Sequence, residues 1–109
     1  MIDYHIVESS EMVVFKAGNG RNPVGCVHLD KRTGEVFGLI ISSDYREMGI
    51  AKELLNRVHT YVANGGYRDQ KIWGWVTPDN KESQNLFHSL GYAEGVYFEK
   101  EIPFILEVE

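Results

Sequence analysis

The sequence predicts a single α+β domain over residues 1–109, in which antiparallel strands come first and two helices follow. Its length suffices for one domain with one core. Short apolar runs bounded by turn residues fill roughly the first forty positions, and an apolar residue then recurs every fourth position, as in a helix. The hydrophobic share of 43% and the charged share of 25% are those of an average globular protein, which excludes a disordered chain.

Four segments before the first helix are predicted as strands. Tyr4–Val7 is a short candidate. Met12–Ala17 and Val24–Leu29 are rich in apolar and branched residues, and the turn residues of Gly18–Pro23 separate them, so they form a predicted hairpin with a long loop. Glu35–Ser42 is apolar at nearly every position after its first residue, and we expect both faces of that strand to be covered.

The apolar period changes after this strand and predicts a long helix. The helix is expected to begin at Arg46, with Ser43 or Asp44 as its N-cap, and to end at Gly65 and Gly66 after about five turns. Its apolar stripe is formed by Ile50, Leu54, Val58 and Val62.

A fifth strand and a second helix follow. Ile72–Val76 is the predicted strand, and a shorter helix is expected to begin near Asn80 and to end at Gly91. Asp79 and Glu82 have the spacing of a capping box at the start of this helix.

The remaining residues are predicted as closing strands at Ala93–Lys100 and Pro103–Val108. The predicted fold is therefore a mixed, mostly antiparallel sheet of about six to seven strands flanked by two helices.

The charge and the cysteine content narrow the classes of function. Lys and Arg number 11 and Asp and Glu 16, and the net charge of −5 disfavours nucleic-acid binding and favours cationic partners. The single cysteine, Cys26, excludes an internal disulfide and suits a reducing compartment. The first residues lack the features of a signal peptide, and no apolar stretch reaches membrane-spanning length. We therefore expect a cytoplasmic protein without membrane contact.

The segment from Glu35 to Ala51 is the most informative, because an apolar strand leads there into a helix. The first turn of a helix has unpaired backbone N–H groups and the positive end of the helix dipole, so it binds anions such as phosphate. Gly49 and Ala51 let a phosphate approach the backbone, and Arg46 either adds a charged hydrogen bond or points to solvent. The pattern alone has low specificity, and it is neither a P-loop nor a dinucleotide fingerprint.

Two motifs resemble those of the GNAT acetyltransferase superfamily. Arg46-Glu47-Met48-Gly49-Ile50-Ala51 is similar to its acetyl-coenzyme A pyrophosphate loop, Q/R-x-x-G-x-G/A. Asn80–Tyr92 is similar to its later motif, N-x-x-A/S-x-x-x-Y/F-x-x-x-G-F/Y. The resemblance extends over Met12–Tyr92 and identifies the chain as a member of this superfamily.

The resemblance implies a binding site for acetyl-coenzyme A. The strand before the loop would pair with the pantetheine arm like an added β-strand, the loop amides would hold the pyrophosphate, and the second helix would approach the cofactor from the other side. The implied residues are Leu39, Ile40 and Ile41 on the strand, Arg46, Glu47, Met48, Gly49, Ile50, Ala51 and Lys52 in the loop, and Asn80 and Phe87 on the second helix.

The resemblance also implies acetyl transfer to a primary amine, with Glu35 as general base and the backbone N–H of Leu39 as oxyanion donor. The spacing of Glu35 from Leu39 and Arg46 matches the glutamate of the histone acetyltransferase branch, which deprotonates lysine through water. Neighbouring aromatics such as Phe37 would desolvate Glu35 and raise its pKa. Alternatively, Glu35 is a solvated turn residue without a role. Many GNAT enzymes have a tyrosine acid where this chain has Phe87, which cannot donate a proton.

The acceptor side is expected to be open, because only Glu8–Glu11 separates the first two strands, where GNAT domains commonly carry two helices. An open site favours a protein lysine as acceptor. Uncovered sheet surface favours a homodimer, to which Ile102–Leu106 would contribute. Trp73 and Trp75 are expected on one sheet face, in the core or beside the acceptor groove.

Three hypotheses of function follow. The first is an acetyl-coenzyme A-dependent N-acetyltransferase, the second an inactive GNAT-like module that binds an acyl-coenzyme A or a protein partner, and the third an interaction domain without a cofactor. Cys26 is interpreted as a buried, unreactive thiol. No metal is expected, because the histidines lack the spacing of ligands and are interpreted as structural or surface residues: His5, His28, His59 and His88.

Overall fold

The computed structural model describes all 109 residues. The chain forms seven β-strands and two α-helices, with a short 3-10 helix at Ser43–Tyr45, so the predicted strand and helix content is confirmed. The strands are β1 (Asp3–Glu8), β2 (Met12–Asn19), β3 (Asn22–Asp30), β4 (Val36–Ile41), β5 (Lys71–Val76), β6 (Ala93–Glu94) and β7 (Ile102–Glu107), and the helices are α1 (Ile50–Ala63) and α2 (Lys81–Ser89).

The strands form two antiparallel sheets. β1, β2, β3 and β4 follow one another in a four-stranded sheet, while the three-stranded sheet has the order β5-β7-β6. The predicted hairpin of β2 and β3 is present, with Val13 opposite Leu29. The expected long loop is wrong, because Asn19 pairs with Asn22 and only two residues connect the strands. The two sheets meet at a parallel bridge between Glu35 and Trp73, where the N–H of Trp73 donates to the carbonyl of Gly34 at 3.1 Å.

Both helices contribute to one core. The apolar stripe of α1 packs on the buried side chains of β2 and β3. On α2, the ring of Phe87 stacks on Phe104 of β7 at 5.7 Å between centroids and meets Tyr92 edge-on at 4.7 Å. Neither helix combines the length and apolar character needed to cross a membrane. The largest fully buried side chains are Phe15, Phe104, Leu29, Leu54, Leu55, Ile72, Val13, Val24, Val27 and Val58.

The start of α1 differs from the prediction. Ser43 and Asp44 belong to the 3-10 helix, and the chain from Arg46 to Gly49 is a turn rather than a helix. Gly49 has a φ of 78° and is the N-cap of α1. A residue in this left-handed conformation cannot be part of a right-handed helix, so α1 begins only at Ile50.

The expectation that β4 is covered on both faces is wrong. Val36 is buried in the core, whereas Ile40 is 64% exposed and Phe37 is 37% exposed. Both helices pack on the core face, so the outer face of β4 has no cover. The continuous apolar pattern of this strand therefore marks an accessible apolar surface.

The predicted strand Ala93–Lys100 is also wrong for most of its length. Only Ala93–Glu94 pairs with β7, and the chain then forms a loop. The loop ends in a turn in which Phe98 and Glu101 exchange two backbone hydrogen bonds of 3.0 Å. Glu99 in this turn has a φ of 56°, which interrupts the extended backbone of a strand.

Candidate functional site

A groove opens where β4 and β5 separate. The strands touch at the bridge between Glu35 and Trp73, and Gly74 permits this close approach because a Cβ there would lie 2.9 Å from the carbonyl oxygen of Val36. Beyond the bridge, this edge of β4 pairs with no other strand as far as Ile41. The edge therefore presents free backbone groups to the groove.

A β-bulge lies in the middle of β4. Cys26 pairs with Ile40 and His28 with Phe37, so β4 has one residue more than β3 over this stretch. Gly38 has a φ of 66°, and a Cβ there would lie 2.7 Å from Nδ1 of His28, so both the backbone and the space require glycine. A bulge re-aims the backbone that follows it, here at the edge of the groove.

The backbone of Ile41 faces the groove. The N–H of Ser42 donates to the carbonyl of Val24 at 2.7 Å, which places the opposed residues Gly25 and Ile41 between hydrogen-bonded pairs. The carbonyl of Ile41 therefore points away from β3, and it accepts a hydrogen bond of 3.2 Å from Nε of Arg46. This contact fixes the loop to the end of β4.

The first turn of α1 is uncapped. No side chain accepts a hydrogen bond from its first amides. Nothing lies within 4 Å of the position that a Cβ of Gly49 would take. Glu47, with a φ of 63°, and Gly49 are both left-handed, and such turns form concave arrangements of N–H groups. This turn can therefore hold an anion through backbone hydrogen bonds and the positive end of the helix dipole.

The groove has a volume of about 520 Å³ and brings together most of the predicted cofactor residues. Those that line it are Leu39, Ile40, Ile41, Arg46, Glu47, Gly49, Ile50, Ala51, Lys52 and Asn80. Four further lining residues were not predicted: Tyr45, Glu82, Ser83 and Leu86. Ser83 is three residues from Asn80, and Leu86 is three from Ser83, so the helical spacing of the second motif is the signal that identifies them.

Met48 and Phe87 do not line the groove. Met48 lies in the loop and is 62% exposed. Phe87 is only 6% exposed, because its ring packs in the core against Tyr92 and Phe104. The expectation that Phe87 packs beside the cofactor is therefore corrected: its apolar ring completes the core beneath α2.

The start of α2, in contrast, is capped by its own sequence. Oδ1 of Asn80 accepts a hydrogen bond of 3.1 Å from the N–H of Ser83. The predicted capping box of Asp79 and Glu82 is wrong by one position, because α2 begins at Lys81 and its N-cap is Asn80.

Glu35 is half-buried at the bridge to Trp73, and it is not among the residues that line the groove. The side chain of its neighbour Val36 enters the core, so the side chain of Glu35 lies on the opposite, outer face of the sheet. Burial raises the pKa of Glu35, and the carboxylates of Asp30 and Glu101 raise it further. A carboxylate with a raised pKa is suited to accept a proton near neutral pH.

The outer face around Glu35 is aromatic and open. Trp73 and Trp75 lie on it together, as predicted, with their ring centroids 5.4 Å apart. They are not in the core: Trp75 is 37% exposed, and Nε1 of Trp73 donates to the carbonyl of Thr33 at 3.0 Å. Glu8 at the end of β1 and Met12 at the start of β2 are joined without a helix.

Two other reactive side chains, Cys26 and His59, have structural contacts. Cys26 is half-buried, not fully buried as expected, with Sγ 3.8 Å from the carbonyl oxygen of Gly38. Nε2 of His59 lies 2.7 Å from the hydroxyl of Tyr92, and burial lowers the pKa of His59. No three His, Cys, Asp or Glu side chains converge in a way that could hold a metal ion.

Comparison with known proteins agrees with this geometry. The profile of the acetyltransferase (GNAT) family matches residues 1–92, while a search of curated proteins finds no match. The structure is similar to the GNAT domain of S. lividans PAT, with a TM-score of 0.80 and 19% identity over 93% of this chain and 64% of that chain.

Two solved structures with bound ligands are also similar. PaiA N-acetyltransferase from Thermoplasma acidophilum in complex with coenzyme A has a TM-score of 0.80 and 14% identity over 89% of this chain and 61% of that chain. Spermidine N-acetyltransferase from Vibrio cholerae in complex with coenzyme A and spermine has a TM-score of 0.75 and 19% identity over 91% of this chain and 67% of that chain.

The chain thus spans 61%, 64% and 67% of the length of these three structures. The similarity to them confirms the predicted fold, and the family profile, which matches most of the chain, confirms the family predicted from the two motifs. The chain belongs to the GNAT family of acetyltransferases.

Proposed function

We propose that the protein is an N-acetyltransferase that moves an acetyl group from acetyl-coenzyme A to a primary amine, and that the acceptor is a lysine side chain of a protein. The observation that carries the proposal is the uncapped first turn of α1 beside the unpaired edge of β4. An anion-binding turn next to a free strand edge suits a donor that has a diphosphate followed by an amide-containing arm.

The donor would lie in the groove. The amides from Arg46 to Lys52 hold its diphosphate, and the free edge of β4 from Leu39 to Ile41 bonds its pantetheine amides like an added strand. Asn80 lines the groove from α2. Coenzyme A bound to PaiA and to spermidine N-acetyltransferase, which share this fold, supports this assignment.

The chemistry proposed for Glu35 is general-base catalysis. The carboxylate of Glu35 accepts a proton from the acceptor ammonium through a water molecule, because an ammonium with an ordinary pKa of about 10.4 is not a nucleophile at neutral pH. The neutral nitrogen then attacks the thioester carbonyl carbon. The N–C bond forms, the C–S bond breaks with its electron pair on sulfur, and the surplus proton of the nitrogen passes to water.

The backbone N–H of Leu39 is proposed as the donor to the carbonyl oxygen as that oxygen becomes negative. Leu39 directly follows the bulge at Gly38 and lines the groove. A preorganised backbone donor is worth about a hundredfold or more in rate. The buried ring of Phe87 supplies no acid, so coenzyme A leaves as a thiolate, which an ordinary thiol pKa of about 8.5 permits.

The shape and charge of the outer face support a protein lysine as acceptor. No helix covers the sheet around Glu35, so a side chain carried by a second protein can reach it. The net charge of −5 attracts basic proteins over long range. Spermidine is the second candidate acceptor, because an acidic, aromatic surface also suits a small polyamine.

The proposal is tested with acetyl-coenzyme A and lysine-rich proteins, by mass spectrometry. The expected result is a gain of one acetyl group at lysine, which falls about a hundredfold or more in Glu35→Gln. Because the pKa of Glu35 is raised, the acidic limb of kcat/KM against pH is expected above the ordinary range of a glutamate, and Glu35→Gln is expected to remove it. Activity unchanged in Glu35→Gln contradicts the role of the base.

An inactive module that binds acyl-coenzyme A is the second candidate function, favoured by the absence of a tyrosine acid at Phe87. An inactive module predicts that coenzyme A raises the melting temperature of the protein while no amine is acetylated. A homodimer and a cytoplasmic location stay predictions from the sequence. Sedimentation equilibrium at micromolar concentration tests the first, and cell fractionation tests the second.

A further inference from the structure

The bulge in β4 needs a restraint beyond the hydrogen bonds of the sheet. Gly38 and Leu39 together lie opposite the single residue Val27 of β3. A bulge leaves one residue outside the regular pairing, and glycine has more conformational freedom than any other residue. Gly38 has a φ of 66° and is exposed on its open side. Its conformation must therefore be held by the side chains that contact it.

Two side chains of β3 contact Gly38. Val27 is fully buried, so the side chains before and after it, Cys26 and His28, lie on the opposite, outer face of the sheet. Nδ1 of His28 lies 2.7 Å from the position that a Cβ of Gly38 would take. Sγ of Cys26 lies 3.8 Å from the carbonyl oxygen of Gly38, which accepts a weak hydrogen bond from the thiol.

The ring of His28 is itself held in place. It stacks on the ring of Phe37 with 4.9 Å between the centroids and 19° between the planes. Its Nδ1 atom is buried and has no hydrogen-bond partner, which is uncommon for a buried polar atom. At this edge the imidazole therefore acts by packing against Gly38 and not as a hydrogen-bonding group.

These contacts reach Leu39 through one peptide unit. The carbonyl of Gly38 and the N–H of Leu39 belong to the same planar group, so fixing the carbonyl also fixes the direction of the N–H. Leu39 lines the groove, whereas His28 does not. A side chain outside the groove thus controls a backbone donor inside it.

We infer that His28 is a positioning residue for the backbone N–H of Leu39. Its ring, stacked on Phe37, holds the peptide unit between Gly38 and Leu39, and the thiol of Cys26 adds a second, weaker contact. The catalytic purpose of this arrangement rests on the proposed function, in which the N–H of Leu39 donates to the thioester oxygen as that oxygen becomes negative.

Kinetics of His28→Ala test the inference, with acetyl-coenzyme A as donor and poly-L-lysine as acceptor. We expect kcat to fall about tenfold to a hundredfold, because a donor displaced by about 1 Å no longer stabilises the transition state. Coenzyme A itself has no thioester carbonyl, so its Kd is expected to change less than about threefold. Calorimetric titration measures that Kd.

Two further variants separate the plane of the ring from its volume. His28→Phe retains a planar ring that can stack on Phe37 and is expected to recover most of the lost kcat. His28→Leu fills a similar volume without a plane, and it replaces His28→Ala where that variant does not fold. A kcat for His28→Phe as low as that of His28→Leu overturns the inference.

Val14→Ala is the matched control. Val14 lies opposite His28 on β2, is half-buried on the same outer face, and is one strand further from the bulge. We expect a lower Tm with the kcat of the wild type. Equal losses of kcat in Val14→Ala and His28→Ala would reduce His28 to a general contribution to stability and overturn the inference.

Backbone amide chemical shifts test the positioning without any need for activity. We expect the amide of Leu39 to be among the most shifted in His28→Ala and to stay near its wild-type position in Val14→Ala. An amide of Leu39 that is unchanged in His28→Ala overturns the inference.

The two proposals can fail separately. A wild type that acetylates no amine, together with the expected shift of the Leu39 amide, contradicts the proposed activity and supports the control of this peptide unit by His28. Acetyl transfer with the same kcat in the wild type and in His28→Ala supports the activity and overturns the positioning role.

Discussion

The two helices begin in opposite ways. At α2, Oδ1 of Asn80 accepts from the N–H of Ser83 at 3.1 Å, so the sequence itself satisfies one of the first amides. At α1, the N-cap is Gly49, and no side chain takes that role. Both starts line the same groove.

The two helix starts therefore differ in role: a side-chain cap stabilises the start of α2, whereas the start of α1 is left open for a ligand. A side-chain cap contributes about 1 kcal/mol to a helix, and α1 lacks that contribution although it is the longer helix and its apolar stripe lies in the core. α1 is held by packing of Leu54, Leu55 and Val58, which are fully buried. Its first amides therefore remain available for a ligand. Each of the four predictions that follow changes one of the two helix starts or the contact between the helices.

The largest effect is expected from Gly49→Val. A β-branched residue at a φ of 78° is strained by roughly 1–2 kcal/mol, and its side chain would occupy the open space in front of the first amides. We expect the affinity for coenzyme A to fall about tenfold to a hundredfold, which corresponds to the free energy of one hydrogen bond to a charged group. Calorimetric titration measures it.

Gly65→Val is the matched control, because Gly65 follows the other end of α1 with a φ of 86° and equally open space around its Cβ position. It is expected to lose similar stability and to keep its affinity for coenzyme A. Equal affinities in the two variants would mean that the start of α1 has no special role.

At the start of α2, Asn80→Ala is expected to lower stability by about 1 kcal/mol, because the N–H of Ser83 loses its acceptor. Thermal unfolding should show a decrease in Tm of roughly 4–8 °C. Asn80→Ser retains a capping oxygen and is expected to recover most of the loss. A Tm that is equally low in both variants contradicts the role of Asn80 as a cap.

A smaller effect is expected from Lys52→Ala in the first turn of α1. Lys52 lines the groove and is exposed, so its attraction for a diphosphate is worth at most about fivefold in affinity and decreases with salt. Lys81→Ala, at the first position of α2 and outside the groove lining, serves as control. The same loss of coenzyme A affinity in both would indicate a general effect of charge.

The smallest effect concerns the contact between the helices. His59 of α1 lies 2.7 Å from the hydroxyl of Tyr92, just after α2, and burial lowers the pKa of His59. In the unfolded chain, the imidazole of His59 is therefore protonated below its ordinary pKa of about 6.5. In the folded chain, it is protonated only at lower pH. Stability is expected to fall as pH decreases from 6.5 to the lowered pKa.

Denaturant titrations at several pH values measure this slope. His59→Gln removes the titrating group and is expected to reduce the slope over the same pH range. A slope that is unchanged in His59→Gln assigns the acid sensitivity to other groups.

The sequence predicted the elements that periodicity and turn residues define. The four-residue spacing from Ile50 to Val62 lies within α1, and the segments Met12–Ala17 and Val24–Leu29 form the β2–β3 hairpin. The groove also follows from sequence, because the glycine and small residues of the first motif must lie where the helix starts.

Other features depend on tertiary contacts that one sequence does not reveal. The left-handed φ of Gly49 delays α1, and only the fold decides that the outer face of β4 is uncovered. The bulge at Gly38 requires knowledge of the pairing with β3. Phe87 belongs to the second motif, yet its ring is in the core, because its position on the helix decides which way its side chain points.

The most direct test of the central claim is a measurement of backbone amide chemical shifts while coenzyme A is added. The account predicts that the largest changes occur at the first turn of α1, from Gly49 to Lys52, and along Leu39 to Ile41 of β4. Saturable changes confined to other parts of the molecule, or no changes at millimolar coenzyme A, would contradict it.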